Sequence, residues 1–99
     1  MRLKSGMTLA EFLNFLEEDK QRGAESNIES DVRDLLIWVI IQNTQNSILN
    51  SNARLHSIIH FMINIIKPLN VSITGVEHKR HVRERTVSYL TGVKDIIKN

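Results

Sequence analysis

The sequence predicts an all-α protein, a small bundle of about four helices. Three observations carry this. Apolar side chains recur at intervals of three and four in four separate stretches, the signature of one buried helix face. Residues suited to cap a helix stand ahead of each stretch. A single proline and four glycines in 99 residues leave those stretches almost uninterrupted. That length gives room for one helical domain spanning residues 1–99.

The first helix should open at Thr8, which has Glu11 three residues on, the spacing of a capping box. Leu9, Phe12, Leu13 and Leu16 then form one apolar face, while Glu11, Glu17, Glu18 and Asp19 fall off it as solvated charges. Gly23 is the expected stop. The second helix should be capped by Ser26, with Glu29 completing the box. Ile28, Val32, Leu35, Leu36 and Val39 make its stripe. Ile37, Trp38, Ile40 and Ile41 occupy the other faces. The β-branched content of residues 35–41 also suits a strand, but the stripe running in from Ile28 decides for a helix. With no proline or glycine to end it, this helix is expected to continue through the polar run after Ile41 to about Leu49.

A third helix should start with Ser51 or Asn52 as its cap. Leu55, Ile58, Ile59, Met62, Ile63, Ile66 and Leu69 recur along it, Phe61 and Ile65 widen the stripe, and Pro68 closes it. After a connector whose Thr74 and Glu77 offer another capping box, the fourth helix runs from about Val76 to Ile97. Its seam is Val82, Thr86, Tyr89 or Leu90, Val93, and Ile96 or Ile97. Gly92 inside it should mark the close approach of another helix, because glycine weakens a helix interior by ~1 kcal/mol against alanine.

Helices two and three carry apolar side chains on nearly every face, and such helices are normally surrounded by other elements. A second copy of the chain is the simplest cover, so a homodimer is expected. Trp38, Ile41, Phe61 and Ile65 are the residues placed at its interface.

Several function classes drop out on composition. The chain has no cysteine, which removes disulfide scaffolds and cysteine-based zinc folds. The longest apolar run, residues 35–41, is far short of the ~20 residues that cross a bilayer. The N-terminal stretch has no apolar core of a secretory signal, so a cytoplasmic location without membrane partner is expected. His56 and His60 stand at i, i+4, a spacing that lets two imidazoles share a metal. No glutamate base lies between them, and only His78 or His81 could add a ligand. They are expected instead to be a partly buried, hydrogen-bonded pair at the core edge. No nucleophile elbow or phosphate-cradling glycine loop is present. The reading is therefore not an enzyme: no catalytic residues, no metal, no cofactor and no small-molecule substrate.

The net charge of +2 hides a strong asymmetry. Residues 1–34 carry five basic and eight acidic side chains, residues 35–75 only Arg54 and Lys67, and residues 76–99 six basic and three acidic. Either the acidic head and basic tail lie side by side, or the basic end faces an acidic partner. His78, Lys79, Arg80, His81, Arg83 and Arg85 cluster in the tail. Cations at a helix N-terminus oppose its dipole, which singles the cluster out.

Just upstream, Ile66-Lys-Pro-Leu-Asn-Val-Ser-Ile-Thr-Gly-Val-Glu-His78 resembles a helix-turn-helix of the LuxR type. The likeness lies in the leucine-Asn-aliphatic-Ser turn with a valine four residues on, over about thirteen residues. It departs from that family at Pro68, inside the first of the two helices, at Gly75 in place of threonine, and at Lys79 where an apolar residue belongs. The resemblance implies a second helix in the major groove, with Thr74, Glu77, His78 and Lys79 near DNA. Two functions are thus expected to compete. One is a non-enzymatic regulator or adaptor that binds another protein as a homodimer. The alternative is a DNA-binding transcriptional regulator using residues 72–85, with Thr74, His78, Lys79, Arg80, Arg83 and Arg85 against the nucleic acid.

Overall fold

A computed structural model describes residues 2–44, 52–69 and 80–97, with Arg80 described by its backbone alone. Among the described residues four α-helices follow one another: α1 (Leu9–Gln21), α2 (Ser30–Gln42), α3 (Leu55–Ile66) and α4 (Arg80–Ile97). A 3₁₀ turn, Gly23–Glu25, separates the first two. No strand occurs among the described residues; an isolated antiparallel bridge joins Thr8 to Arg54.

α1 opens as its cap predicts. The Thr8 hydroxyl accepts from the Glu11 N–H at 3.1 Å, and the Glu11 carboxylate accepts from the Thr8 N–H at 2.9 Å. Its inner face buries Phe12 and Leu16. Gly23, with φ of 59°, takes the left-handed turn that ends this segment. The second box does not form. α2 starts at Ser30, four residues after the expected cap, because the Ser26 side chain is engaged elsewhere, with Asp19. The far end of α2 also corrects the expectation. The helix stops at Gln42 rather than Leu49, since the Asn43 amide donates to the Val39 carbonyl at 2.8 Å and the Thr44 hydroxyl to the Ile41 carbonyl at 3.1 Å. These side chains add to the backbone bonds that close the last turn, from the Asn43 N–H to the Val39 carbonyl and from the Thr44 N–H to the Ile41 carbonyl.

The N-cap of α3 is Arg54, which makes no side-chain capping bond, and the helix begins at Leu55 rather than beside Asn52. Backbone from the N-terminal segment does the capping: Leu55 N–H donates to the Met7 carbonyl at 2.7 Å and His56 N–H to the Ser5 carbonyl at 3.3 Å. Two otherwise orphaned donors are satisfied by chain about fifty residues away in sequence. Pro68 falls just past the helix end, as expected. α4 buries Val82, Thr86, Leu90, Val93 and Ile97, the seam the spacing predicts, while Tyr89 is half-buried and Ile96 exposed. Gly92 marks no close approach: it is exposed, and a Cβ there would meet nothing within 4 Å.

One apolar cluster draws on all four helices, from Phe12 and Leu16 through Leu35, Leu36, Ile58, Ile59 and Met62 to Val82 and Leu90. α4 packs on both α3 and α2, and α1 on both α2 and, less extensively, α3. The two most apolar helices make little direct contact with each other. α1 and α4 therefore lie between them and take up much of the surface that a second copy was expected to cover.

Candidate functional site

Two features stand apart from ordinary core packing: a buried polar network at the α1–α2 junction, and an apolar strip on the outer face of α2. The network centres on Asp19, 2% exposed, in the last turns of α1. Its carboxylate accepts from the Ser26 hydroxyl, from the Asn27 N–H at 3.0 Å and from Arg33 Nη1 at 2.9 Å. Arg33, 7% exposed, also reaches Ser26 Oγ at 3.0 Å and the Ile28 carbonyl at 3.4 Å. Its Nε is buried without a hydrogen-bond partner. Arg22 stands further off, 3.9 Å from the carboxylate. Burial pushes the Asp19 carboxyl upward, but the bonds from Ser26, Asn27 and Arg33 and the Arg33 charge together outweigh it and hold the group below its usual range. An ionised carboxylate whose bonds are all made inward serves as a clamp between α1, the connection and α2, not as a proton acceptor for a substrate. Asp19 thus departs from the solvated reading of residues 17–19, because its partner Arg33 projects from the next helix into the same junction.

Beside this junction lies a cleft of about 330 Å³ lined by Ile28, Glu29, Val32, Arg85, Ser88 and Tyr89, among others. Burial, and secondarily the Asp19 charge, pushes the Tyr89 phenol up to about 12. Across the cleft Arg85 grips Glu29 with two contacts, Nε to Oε1 at 2.8 Å and Nη2 to Oε2 at 2.7 Å. The acidic head and basic tail do meet here, side by side. Arg83 donates to the Leu69 carbonyl at 2.8 Å. Two cations of the basic cluster therefore have partners within the chain. Thr74, His78, Lys79 and the Arg80 side chain, with all of the LuxR-like stretch beyond Leu69, lie outside the described residues, as does most of the polar run after Gln42.

On α2, Ile41 is 56% exposed. Ile37 and Trp38, four and three residues earlier, are half-buried and share its outer face. Phe61 and Ile65 are half-buried neighbours on one flank of α3. The four residues expected at one interface thus form two pairs, on helices that α1 and α4 separate. His56 and His60 are both exposed, which corrects their expected burial: Leu55, Ile58, Ile59, Met62 and Ile66 take the core side of α3 and turn the imidazoles outward. No group of three or more His, Asp or Glu side chains suited to a metal occurs among the described residues. None of the described helices is long and apolar enough to cross a membrane.

The described residues define an all-α protein of four helices. Comparison of the chain with models of protein families, with curated proteins and with solved structures finds no match.

Proposed function

We propose that this chain is a single-domain, non-enzymatic regulatory or adaptor protein of the cytoplasm that acts by protein–protein interaction and pairs with a second copy of itself. The observation that carries the reading is the outer face of α2. A helix held against the core by Val32, Leu35, Leu36, Val39 and Ile40 still presents Ile37, Trp38 and Ile41 on its other side. An apolar strip on a helix already anchored in a core is a surface for another protein. Two-fold pairing sets the strip against itself, so that each isoleucine covers its counterpart. Phe61 and Ile65 form a separate apolar pair at the flank of α3, outside that contact.

The DNA-binding alternative would rest on Thr74, His78, Lys79 and Arg80, since Arg83 and Arg85 are engaged with Leu69 and Glu29. Light scattering of the pure chain, with and without a mixed DNA duplex at low and moderate salt, separates the two. A dimer indifferent to DNA, reduced to a monomer by Ile41→Asp, is the expected result. A monomer at every concentration overturns the pairing. A mass increase with DNA that salt reverses establishes the alternative, because phosphate contacts weaken steeply with salt.

A further inference from the structure

The N-terminal segment, α1 and the end of α4 together enclose a groove of about 420 Å³ on a surface away from the α2 strip. Its apolar part is Leu3 and Phe15, both half-buried, and Ile96, which is 74% exposed, more than any other large apolar residue described. Phe15 is fixed in place by stacking on the fully buried Phe12, with ring centroids 6.4 Å apart. Three exposed cations, Arg2, Lys4 and Arg22, line the same groove, and among the described residues no carboxylate lines it. Among the described residues, no acid lies within ion-pair distance of Arg2 or Lys4. Arg22 reaches only Asp19, at 3.9 Å, and that carboxylate is already committed to Arg33 at 2.9 Å. A second hollow, of about 410 Å³, shares Arg2 and Lys4 but ends at Gly6, Met7 and the Glu11 carboxylate, which accepts from the Thr8 N–H, so the strip without acid is confined to the first groove.

We infer that this groove docks an acidic amphipathic peptide segment of a partner protein, one large apolar side chain seated against Leu3, Phe15 and Ile96 and flanking Asp or Glu residues paired with Arg2, Lys4 and Arg22. Charge complementarity selects this occupant. An apolar seat with three cations and no acid among its described lining residues favours a ligand with the opposite charge at its edges. The volume matches a pocket that takes a small ligand or one or two side chains. A groove of about 420 Å³ suits an inserted peptide anchor better than the flat surface of a bilayer. Nucleic acid would use the cations and leave the apolar seat empty. The inference rests on the reading of the chain as a protein-binding module, and not on how its copies pair.

Selection of a random twelve-residue peptide library on the full chain tests it. Enriched peptides should carry Asp or Glu around one or two large apolar residues. Their binding should fall by roughly tenfold or more in Arg2→Glu/Lys4→Glu and in Ile96→Asp. All three positions are exposed, so thermal melts of these variants should match the parent. Enrichment of peptides without acidic bias, or peptides held equally by parent and variants, overturns the inference. So does a failure to enrich any peptide, and so does binding to phosphatidylserine vesicles, lost in the same variants, without peptide binding: that outcome makes the groove a membrane contact. Run beside it, Ile41→Asp keeps the two proposals apart. Acidic peptides bound by a chain that never dimerises leave the groove standing and overturn the pairing, whereas a dimer that takes no peptide does the reverse.

Discussion

Asp19 of α1 and Arg33 of α2 meet at 2.9 Å with both side chains almost fully buried, fourteen residues apart in the chain. Their desolvation is expensive, and the pair survives because Ser26, Asn27 and Ile28 supply further hydrogen bonds. Removing one partner leaves the other charged and unpaired. Asp19→Ala should therefore destabilise the fold by about 3–5 kcal/mol, a large share of the ~5–15 kcal/mol typical of a domain. The double variant Asp19→Ala/Arg33→Met should lose clearly less than the sum of its single changes. Urea unfolding followed by circular dichroism measures all four species, and additive losses would show that the two residues act independently.

The same carboxylate gives stability a pH dependence of defined sign. Its folded value lies below the ordinary 3.8, so the unfolded chain binds its proton first as the solution is acidified. The contribution is fully present above the unfolded value and is lost as pH falls through the depressed folded one. Arg33, Arg22 and Tyr89 are the other titratable groups around it. Melting temperature should fall below about pH 4 in the parent. In Asp19→Asn the fall should be shallower, and an identical acid limb in parent and variant would rule Asp19 out as its source.

How much of this could be read from the chain depends on the range of the interaction. The Thr8–Glu11 box and the seam of α4 were legible because both are settled within one or two helical turns. The same local rule failed at Ser26, whose hydroxyl is drawn to Asp19 seven residues back and approached by Arg33 seven residues ahead. Asp19 itself sits in a Glu-Glu-Asp run that reads as solvated, and nothing local distinguishes it from Glu17 or Glu18. The start of α3 escapes the local rules for a similar reason: its donors go to Ser5 and Met7, which no cap motif announces. The basic-rimmed groove unites residues from positions 2 to 96, so only the tertiary arrangement could assemble it. Its one local hint is the Arg-Leu-Lys alternation of residues 2–4.

Tyr89 gives a second pH effect, at the alkaline end. Burial first, and the Asp19 charge second, raise its phenol to about 12 from the ordinary 10.0. For a group whose folded value is raised, the stability contribution is present below the unfolded value and disappears as pH climbs through the folded one. Stability should therefore decline between about pH 10 and 12, and Tyr89→Phe should remove part of that decline. The chain contains a single tyrosine, so tyrosinate absorbance reports this site alone. A phenol that titrates at its ordinary value while the helices remain folded would mean that the ring is open to solvent.

Trp38 is the only tryptophan in the chain and stands half-buried beside the exposed Ile41 on the outer face of α2. Its emission is therefore a direct readout of whether that face is covered. In a monomer the ring has core on one side and water on the other; pairing replaces the water with apolar side chains of a second copy. Diluting the protein should shift the emission to the red with a midpoint at the dimer dissociation constant. The Ile41→Asp variant should show the monomer spectrum at every concentration, since a carboxylate set against its own counterpart across a two-fold axis adds like-charge repulsion to lost apolar contact. Phe61→Ala should leave the midpoint unchanged, because Phe61 stands on α3, which α1 and α4 separate from the α2 strip. Emission independent of concentration in the parent, with the mass of a monomer, would show that α1 and α4 alone suffice to cover the apolar middle of this chain.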